Sequence, residues 1–179
     1  MIGVLVSGEG TNLQALIDAA APIAAVASNR AGARALQRAQ EAAIPARVFE
    51  LDRYADRDAR DREMADWLQL RGVELVVLAG YMHLLTPSFL DRFPDRVVNV
   101  HPSLLPDFPG AHAIDDAVAA GVDETGVSIH YVDDGLDTGR VIVQEPVAVE
   151  PRNTLVARIH AVEHRLLPEV ARELCVAAR

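Results

Sequence analysis

The chain has 179 residues, half of them hydrophobic and only 4% aromatic, so Val, Leu, Ile and Ala must build a full-sized core. Its net charge is −9 and its basic residues are scattered, which argues against a nucleic-acid partner, since such binding rests on neutralising phosphates. All 17 basic residues are arginine, so P-loop, Schiff-base and pyridoxal chemistries, each of which needs a lysine, are excluded.

Residues 2–7 form a continuous apolar run with no basic region or cleavage site ahead of it, so no signal peptide is expected. A glycine-rich turn follows, Gly8-Glu9-Gly10-Thr11-Asn12, and then Leu13, Leu16 and Ile17 at helical spacing. Residues 23–27 read as the second strand, ended by Ser28-Asn29-Arg30, and a helix rich in Ala and Arg covers roughly 32–43. Pro45 precedes a short strand at 47–50. A helix over about 56–71 is expected to turn Met64, Trp67, Leu68 and Leu70 inward. Residues 74–79 read as a buried strand that leaves through the loop Gly80-Tyr81-Met82-His83-Leu84-Leu85, and Pro87 suits the first position of a short helix.

The β-branched run at 97–100 is typical of a buried parallel strand, and the chain then breaks at Pro102, Pro106, Pro109 and Gly110. At the seam stand Asn99 and His101, two residues apart on an extended chain, so their side chains leave the same face. An amide donor beside a titratable imidazole, at the carboxyl end of a strand, suits the holding of an oxyanion and the movement of a proton. The plainer reading is that both cap backbone groups. A short helix at 112–120 closes at Gly121. Residues 125–133 and 140–149 alternate as strands, and the loop between them is too short for a helical crossover, so they should pair antiparallel. A last helix runs from about 153 to 176, kinked at Pro168, and carries the single cysteine, Cys175, as a structural thiol. No apolar stretch is long enough to span a bilayer, and the chain reads as cytoplasmic. This order of elements predicts a doubly wound α/β fold: a mostly parallel, Rossmann-like sheet with an antiparallel hairpin toward the C-terminus, in a single domain over 1–179.

Three further groupings carry chemistry. The 8–12 turn opens a helix, whose free N–H groups make an anion site; Gly8 and Gly10 permit close approach, Thr11 and Asn12 add donors, and a substrate phosphate is the natural occupant, the plainer reading being a capped turn. The turn also resembles a dinucleotide fingerprint, but Leu13 replaces the third glycine and no acid follows the second strand, which leaves an NADP enzyme a weak competitor. His160-Ala161-Val162-Glu163-His164 matches a zinc-peptidase pattern, yet only Glu169 or Glu173 remains to supply a third ligand, and no metal is expected. Asp133, Asp134 and Asp137 crowd one loop, as cation ligands, as turn formers, or with one carboxylate reaching His101 and favouring its protonated form.

Taken together, these segments resemble the phosphoribosylglycinamide formyltransferases of purine biosynthesis. The matching stretches are Ser7-Gly8-Glu9-Gly10-Thr11-Asn12-Leu13-Gln14, Val76-Val77-Leu78-Ala79-Gly80-Tyr81-Met82, Asn99-Val100-His101-Pro102-Ser103-Leu104-Leu105-Pro106, Phe108-Pro109-Gly110, Gly126-Val127-Ser128-Ile129-His130 and Leu136-Asp137-Thr138-Gly139. The resemblance implies formyl transfer from 10-formyltetrahydrofolate, as co-substrate, to the amine of glycinamide ribonucleotide, with no metal. It makes Asn99, His101 and Asp137 the catalytic set, and it gives Gly10, Thr11, Asn12 and Glu163 to the ribonucleotide. Arg57, Met82, His83, Leu84, Leu85 and Asn99 would line the folate site, and the Leu105–Pro106 bond would be cis. The implied partners are small molecules, with a homodimer as a candidate assembly. The chain departs from the family at His83, where members often have arginine, at Asp107, where lysine is common, and at His160, where a polar amide is expected. A formylfolate hydrolase and the tRNA formyltransferase share the central segment. The first would use water as acceptor and usually carries an N-terminal regulatory domain; the second needs a nucleic-acid surface and a further domain. A phosphate- or folate-binding module is the non-enzyme alternative.

Overall fold

The apolar runs become strands in a computed structural model that describes residues 1–176. The strands are β1 (Ile2–Val6), β2 (Ile23–Ser28), β3 (Ala46–Val48), β4 (Leu75–Leu78), β5 (Val97–His101), β6 (Glu124–Tyr131) and β7 (Val141–Ala148). They form a seven-stranded sheet in the order β3-β2-β1-β4-β5-β6-β7. From β3 to β5 all neighbours are parallel, and β5-β6 and β6-β7 are antiparallel. The strand order reverses at β1 and β4, and ligands of open α/β sheets bind in the crevice beyond the carboxyl ends at such a switch point. The predicted hairpin is present, and its first strand also runs against β5, setting His130 opposite Asn99 and Ser128 opposite His101.

Helices cover both faces because the strands alternate apolar residues to either side. On one face Val4, Val6, Val77 and Val98 pack against Leu13 and Leu16 of α1 (Thr11–Asp18), Ala35 and Ala39 of α2 (Arg34–Glu41), and Ile159 and Leu167 of α6 (Leu155–Val176). The short α5 (Ala113–Ala120) closes the margin of that core with Ile114 and Val118. On the other face Leu5, Val76 and Val97 meet Met64 and Leu68 of α3 (Arg57–Gln69) and Phe89 of α4 (Pro87–Leu90). Truncating a buried leucine such as Leu68 to alanine should cost about 2–5 kcal/mol.

Asp56 caps α3 by accepting from the Ala59 amide at 2.7 Å, and Pro87 opens α4 as expected. One expectation fails: Leu70 is 85% exposed. At 100° per residue it lies well off the stripe shared by Met64, Trp67 and Leu68, and α3 has already ended at Gln69. The same stripe instead carries Arg60 and Asp61 into the core, both fully buried. Pro168 lies inside α6 and Cys175 packs on the first core. Among the described residues no helix is long and apolar enough to cross a membrane.

Candidate active site

The carboxyl edge of the sheet opens into a cleft of about 590 Å³, within the range of roughly 300–1,000 Å³ usual for small-molecule sites. One end is the turn between β1 and α1. Gly10 is the N-cap residue at φ 73, and no side chain caps the helix, which leaves its first N–H groups facing the cleft edge. The turn is held from outside. Gly8 carbonyl accepts from the Ala35 amide at 3.1 Å, and Glu9 carbonyl from Arg38 Nε at 2.8 Å. Ser7 is the hub beside it: its hydroxyl donates to Asn29 Oδ1 at 2.7 Å and accepts from the Met82 amide at 2.9 Å, joining the ends of β1, β2 and β4. A Cβ on Gly10 would lie 2.6 Å from Ala35 Cβ, so this glycine is required by packing and φ as well as by approach to an anion. Nothing lies within 4 Å of a Cβ on Gly8.

Glu163 of α6 reaches the same end, 5% exposed, and its Oε2 accepts from Asn12 Nδ2 at 3.2 Å. Burial pushes its carboxyl up to about 7, opposed by the Asn12 hydrogen bond. Two cleft-lining residues keep buried polar atoms without a protein partner, Asn12 Oδ1 and Tyr81 Oη, which suits a polar ligand. The His160 and His164 rings of the zinc-like pattern stack with centroids 5.9 Å apart. Among the described residues no group of three or more His, Cys, Asp and Glu is arranged to hold a metal ion.

At the cleft's other wall Asn99, His101 and Asp137 come together. Asn99 Nδ2 donates to Asp137 Oδ1 at 3.3 Å, and His101 Nδ1 lies 3.5 Å from Asp137 Oδ2. The Gly110 amide donates to the same Oδ2 at 2.8 Å. The antiparallel register brings in His130, which the reading of site residues lacks; its Nε2 lies 3.2 Å from Asn99 Nδ2 and 3.5 Å from Asp137 Oδ1. Each imidazole gives its far nitrogen to a backbone carbonyl, His101 Nε2 to Phe108 at 2.9 Å and His130 Nδ1 to Tyr131 at 2.8 Å. A carbonyl only accepts, so those nitrogens carry protons. The opposite nitrogens, His101 Nδ1 and His130 Nε2, face the Asp137 carboxylate. Burial works to raise Asp137, but the His130 hydrogen bond, the Gly110 amide and the charges of His101 and His130 hold it down at about 2. Asp137 sits at φ 54, in the left-handed region that aspartate tolerates better than most residues. Asp133 is a turn former, accepting from Gly135 N at 3.1 Å and Thr138 Oγ1 at 2.7 Å. The three-aspartate loop thus divides its tasks.

The proline loop is held by Ser128, opposite His101. Its hydroxyl donates to Ser103 carbonyl at 2.6 Å and accepts from the Leu105 amide at 3.0 Å and Gln144 Nε2 at 2.8 Å. Leu105–Pro106 is cis, and so is Glu150–Pro151. Between the two ends of the cleft run Met82, His83, Leu84 and Leu85. Arg57 is exposed and is absent from the cleft wall, although its charge acts on His83 and Tyr81.

Known proteins match this chain over nearly its whole length. The sequence pattern of the formyl transferase family matches residues 1–171. The phosphoribosylglycinamide formyltransferase of Haemophilus influenzae is 40% identical over 178 residues, 94% of this chain and 84% of that one. The crystal structure of glycinamide ribonucleotide transformylase 1 from Geobacillus kaustophilus superposes with a TM-score of 0.93 at 45% identity, covering 97% of both chains. A trifunctional purine biosynthetic protein, adenosine-3 of Drosophila pseudoobscura pseudoobscura, is 43% identical over 178 residues, and the chain spans 13% of its length. A continuous match of this extent is decisive: the chain belongs to the formyl transferase family, among the phosphoribosylglycinamide formyltransferases.

Proposed function

We propose that the protein transfers a formyl group from 10-formyltetrahydrofolate to the amine of 5'-phosphoribosylglycinamide, as a cytoplasmic reaction of purine biosynthesis run by a single domain. One observation carries this reading: an uncapped helix N-terminus and the Asn99–His101–Asp137 cluster line the same cleft. The ribonucleotide phosphate occupies the Gly10-Thr11-Asn12 turn, and Glu163 meets the glycinamide end. The formylfolate lies along Met82, His83, Leu84 and Leu85 with its formyl group toward Asn99, and Arg57 approaches its outer end.

The neutral amine attacks the formyl carbon, forming a C–N bond and turning the carbonyl oxygen into an oxyanion. The Asn99 amide and protonated His101 stabilise that charge, with His101 Nε2–H exchanging the Phe108 carbonyl for the oxyanion. Asp137 keeps the imidazolium charged. Collapse breaks the bond to the folate nitrogen, which leaves with the proton relayed from the attacking amine through His101, giving the N-formyl product and tetrahydrofolate. The test is purified protein with 10-formyltetrahydrofolate, with and without the ribonucleotide. Formyl transfer that needs the ribonucleotide is expected; deformylation in its absence at a similar rate would turn the assignment to a hydrolase, and binding without turnover to a non-catalytic module.

A further inference from the structure

Beneath the 82–85 loop lies a buried ion pair that the proposed chemistry leaves unused. Arg60 Nε and Nη2 donate to Asp61 Oδ1 at 2.8 and 2.6 Å, and Asp61 Oδ2 accepts from the Thr86 amide at 2.8 Å. Arg60 Nη1 lies 2.6 Å from His83 Nδ1. A guanidinium has no lone pair to offer, so it donates and Nδ1 accepts. The His83 proton must therefore sit on Nε2, in a ring that lines the cleft and stands edge-on to Tyr81 with centroids 6.0 Å apart. Burying two charges is costly, and apolar residues of the same shape often serve a core as well or better. This pair instead directs its hydrogen bonds to the loop, at His83 and at Thr86.

We propose that Arg60 and Asp61 are positioning residues for the folate side of the cleft, pinning the 82–85 loop at both ends and holding His83 as a neutral Nε2–H donor. The inference rests on the reading of that loop as a folate wall. The charged and titratable groups facing His83 are Arg60, Arg57 and Asp61 from α3 and Tyr81 from its own loop. Burial first, then the two arginines, lower the protonation of His83, with Asp61 opposing. The Arg60 N–H on Nδ1 acts in the same sense, since it occupies the position a second ring proton would take.

Arg60→Met alone would strand the Asp61 charge, so the informative variant is Arg60→Met with Asp61→Asn, which removes both charges and keeps an acceptor for the Thr86 amide. Nitrogen NMR reads the His83 tautomer and titration, and steady-state kinetics at about pH 6 to 8 reads the two Michaelis constants separately. In the wild type the Nε2–H tautomer is expected throughout, with a formylfolate KM that is flat in pH. In the double variant His83 titrates higher, toward the ordinary histidine value near 6.5. Its formylfolate KM rises roughly three- to tenfold, the scale of one lost hydrogen bond, and becomes pH-dependent, while the ribonucleotide KM stays unchanged. Arg60→Lys, which keeps a buried cation but reaches fewer partners, should show a smaller shift of the same kind. An Nδ1–H tautomer in the wild type, or an unchanged formylfolate KM in a folded variant, overturns the inference. A wild type with no ribonucleotide-dependent transfer overturns the functional reading instead, and the tautomer measurement still decides whether Arg60 governs His83.

Discussion

Asp137 stands between two imidazoles whose far nitrogens are both tied to backbone carbonyls, so its charge is the variable on which the neighbouring protons depend. Asp137→Asn keeps the shape of the loop and removes that charge. Both substrates should bind near wild-type levels while turnover falls about a hundred- to ten-thousandfold, the range of a general acid–base group. His101→Asn should lose turnover as well, because a donor to the oxyanion survives but the proton carrier is gone. The double variant should be little worse than the poorer single, since groups acting as a unit are non-additive; fully multiplicative losses would show that Asp137 acts apart from His101. Asn99 and His101 are legible in the sequence because adjacency on one strand fixes their common face. Asp137 appears there as one of three crowded aspartates, and nothing local says which one turns inward. His130 is invisible without the β5-β6 register, although it belongs to a stretch that carries the family resemblance.

At the scale of elements, the cleft is made by loops that helices brace from behind. The phosphate-binding reading of the β1–α1 turn is best tested at Gly8, where an added methyl meets nothing of the protein. Gly8→Ala should raise the ribonucleotide KM several-fold, leave the formylfolate KM unchanged and shift Tm little. Gly10→Ala should instead destabilise the fold by about 1–3 kcal/mol, through its left-handed φ and the contact with Ala35, and impair the use of both substrates together. Equal kinetic effects of Gly8→Ala on both substrates would mean that the turn does not hold the phosphate. Ser128→Ala should cost about 1–3 kcal/mol in a denaturation series, because Ser103 carbonyl, the Leu105 amide and Gln144 lose a common partner. The strands and their order of type were readable because apolar runs alternate with helical spacing. The helix α3 shows where such reading fails. Arg60 and Asp61 lie on its apolar stripe at helical spacing from Met64 and Leu68, a visible signal of a buried charged pair, whereas Leu70 looked apolar and lies outside. Their partners, His83 and Thr86, come from a loop more than 20 residues away, and only the fold supplies them.

For the molecule as a whole, the two ends of the cleft set opposite limbs of the stability–pH curve. Asp137, depressed to about 2 in the folded chain, stabilises the fold above the ordinary aspartate range, and that contribution is lost as pH falls through about 2. Glu163 acts in the other sense. Its folded value of about 7 lies above the ordinary glutamate value, so the unfolded chain releases this proton first. The contribution is full below about pH 4.5 and disappears as pH rises through about 7, because the carboxylate must then ionise while buried against Asn12. Glu163→Gln preserves an acceptor for the Asn12 amide and removes the ionisation. Its melting temperature should therefore match the wild type at about pH 4.5 and exceed it at about pH 8.5, by an amount corresponding to something on the order of 3 kcal/mol. The same variant should bind the ribonucleotide less tightly above about pH 7, where the wild-type side chain is a carboxylate that glutamine cannot replace. A melting difference that does not grow with pH would place the Glu163 carboxyl in contact with solvent and remove it from the buried end of the cleft. A difference that grows while ribonucleotide affinity holds would keep the burial and overturn the contact with the substrate.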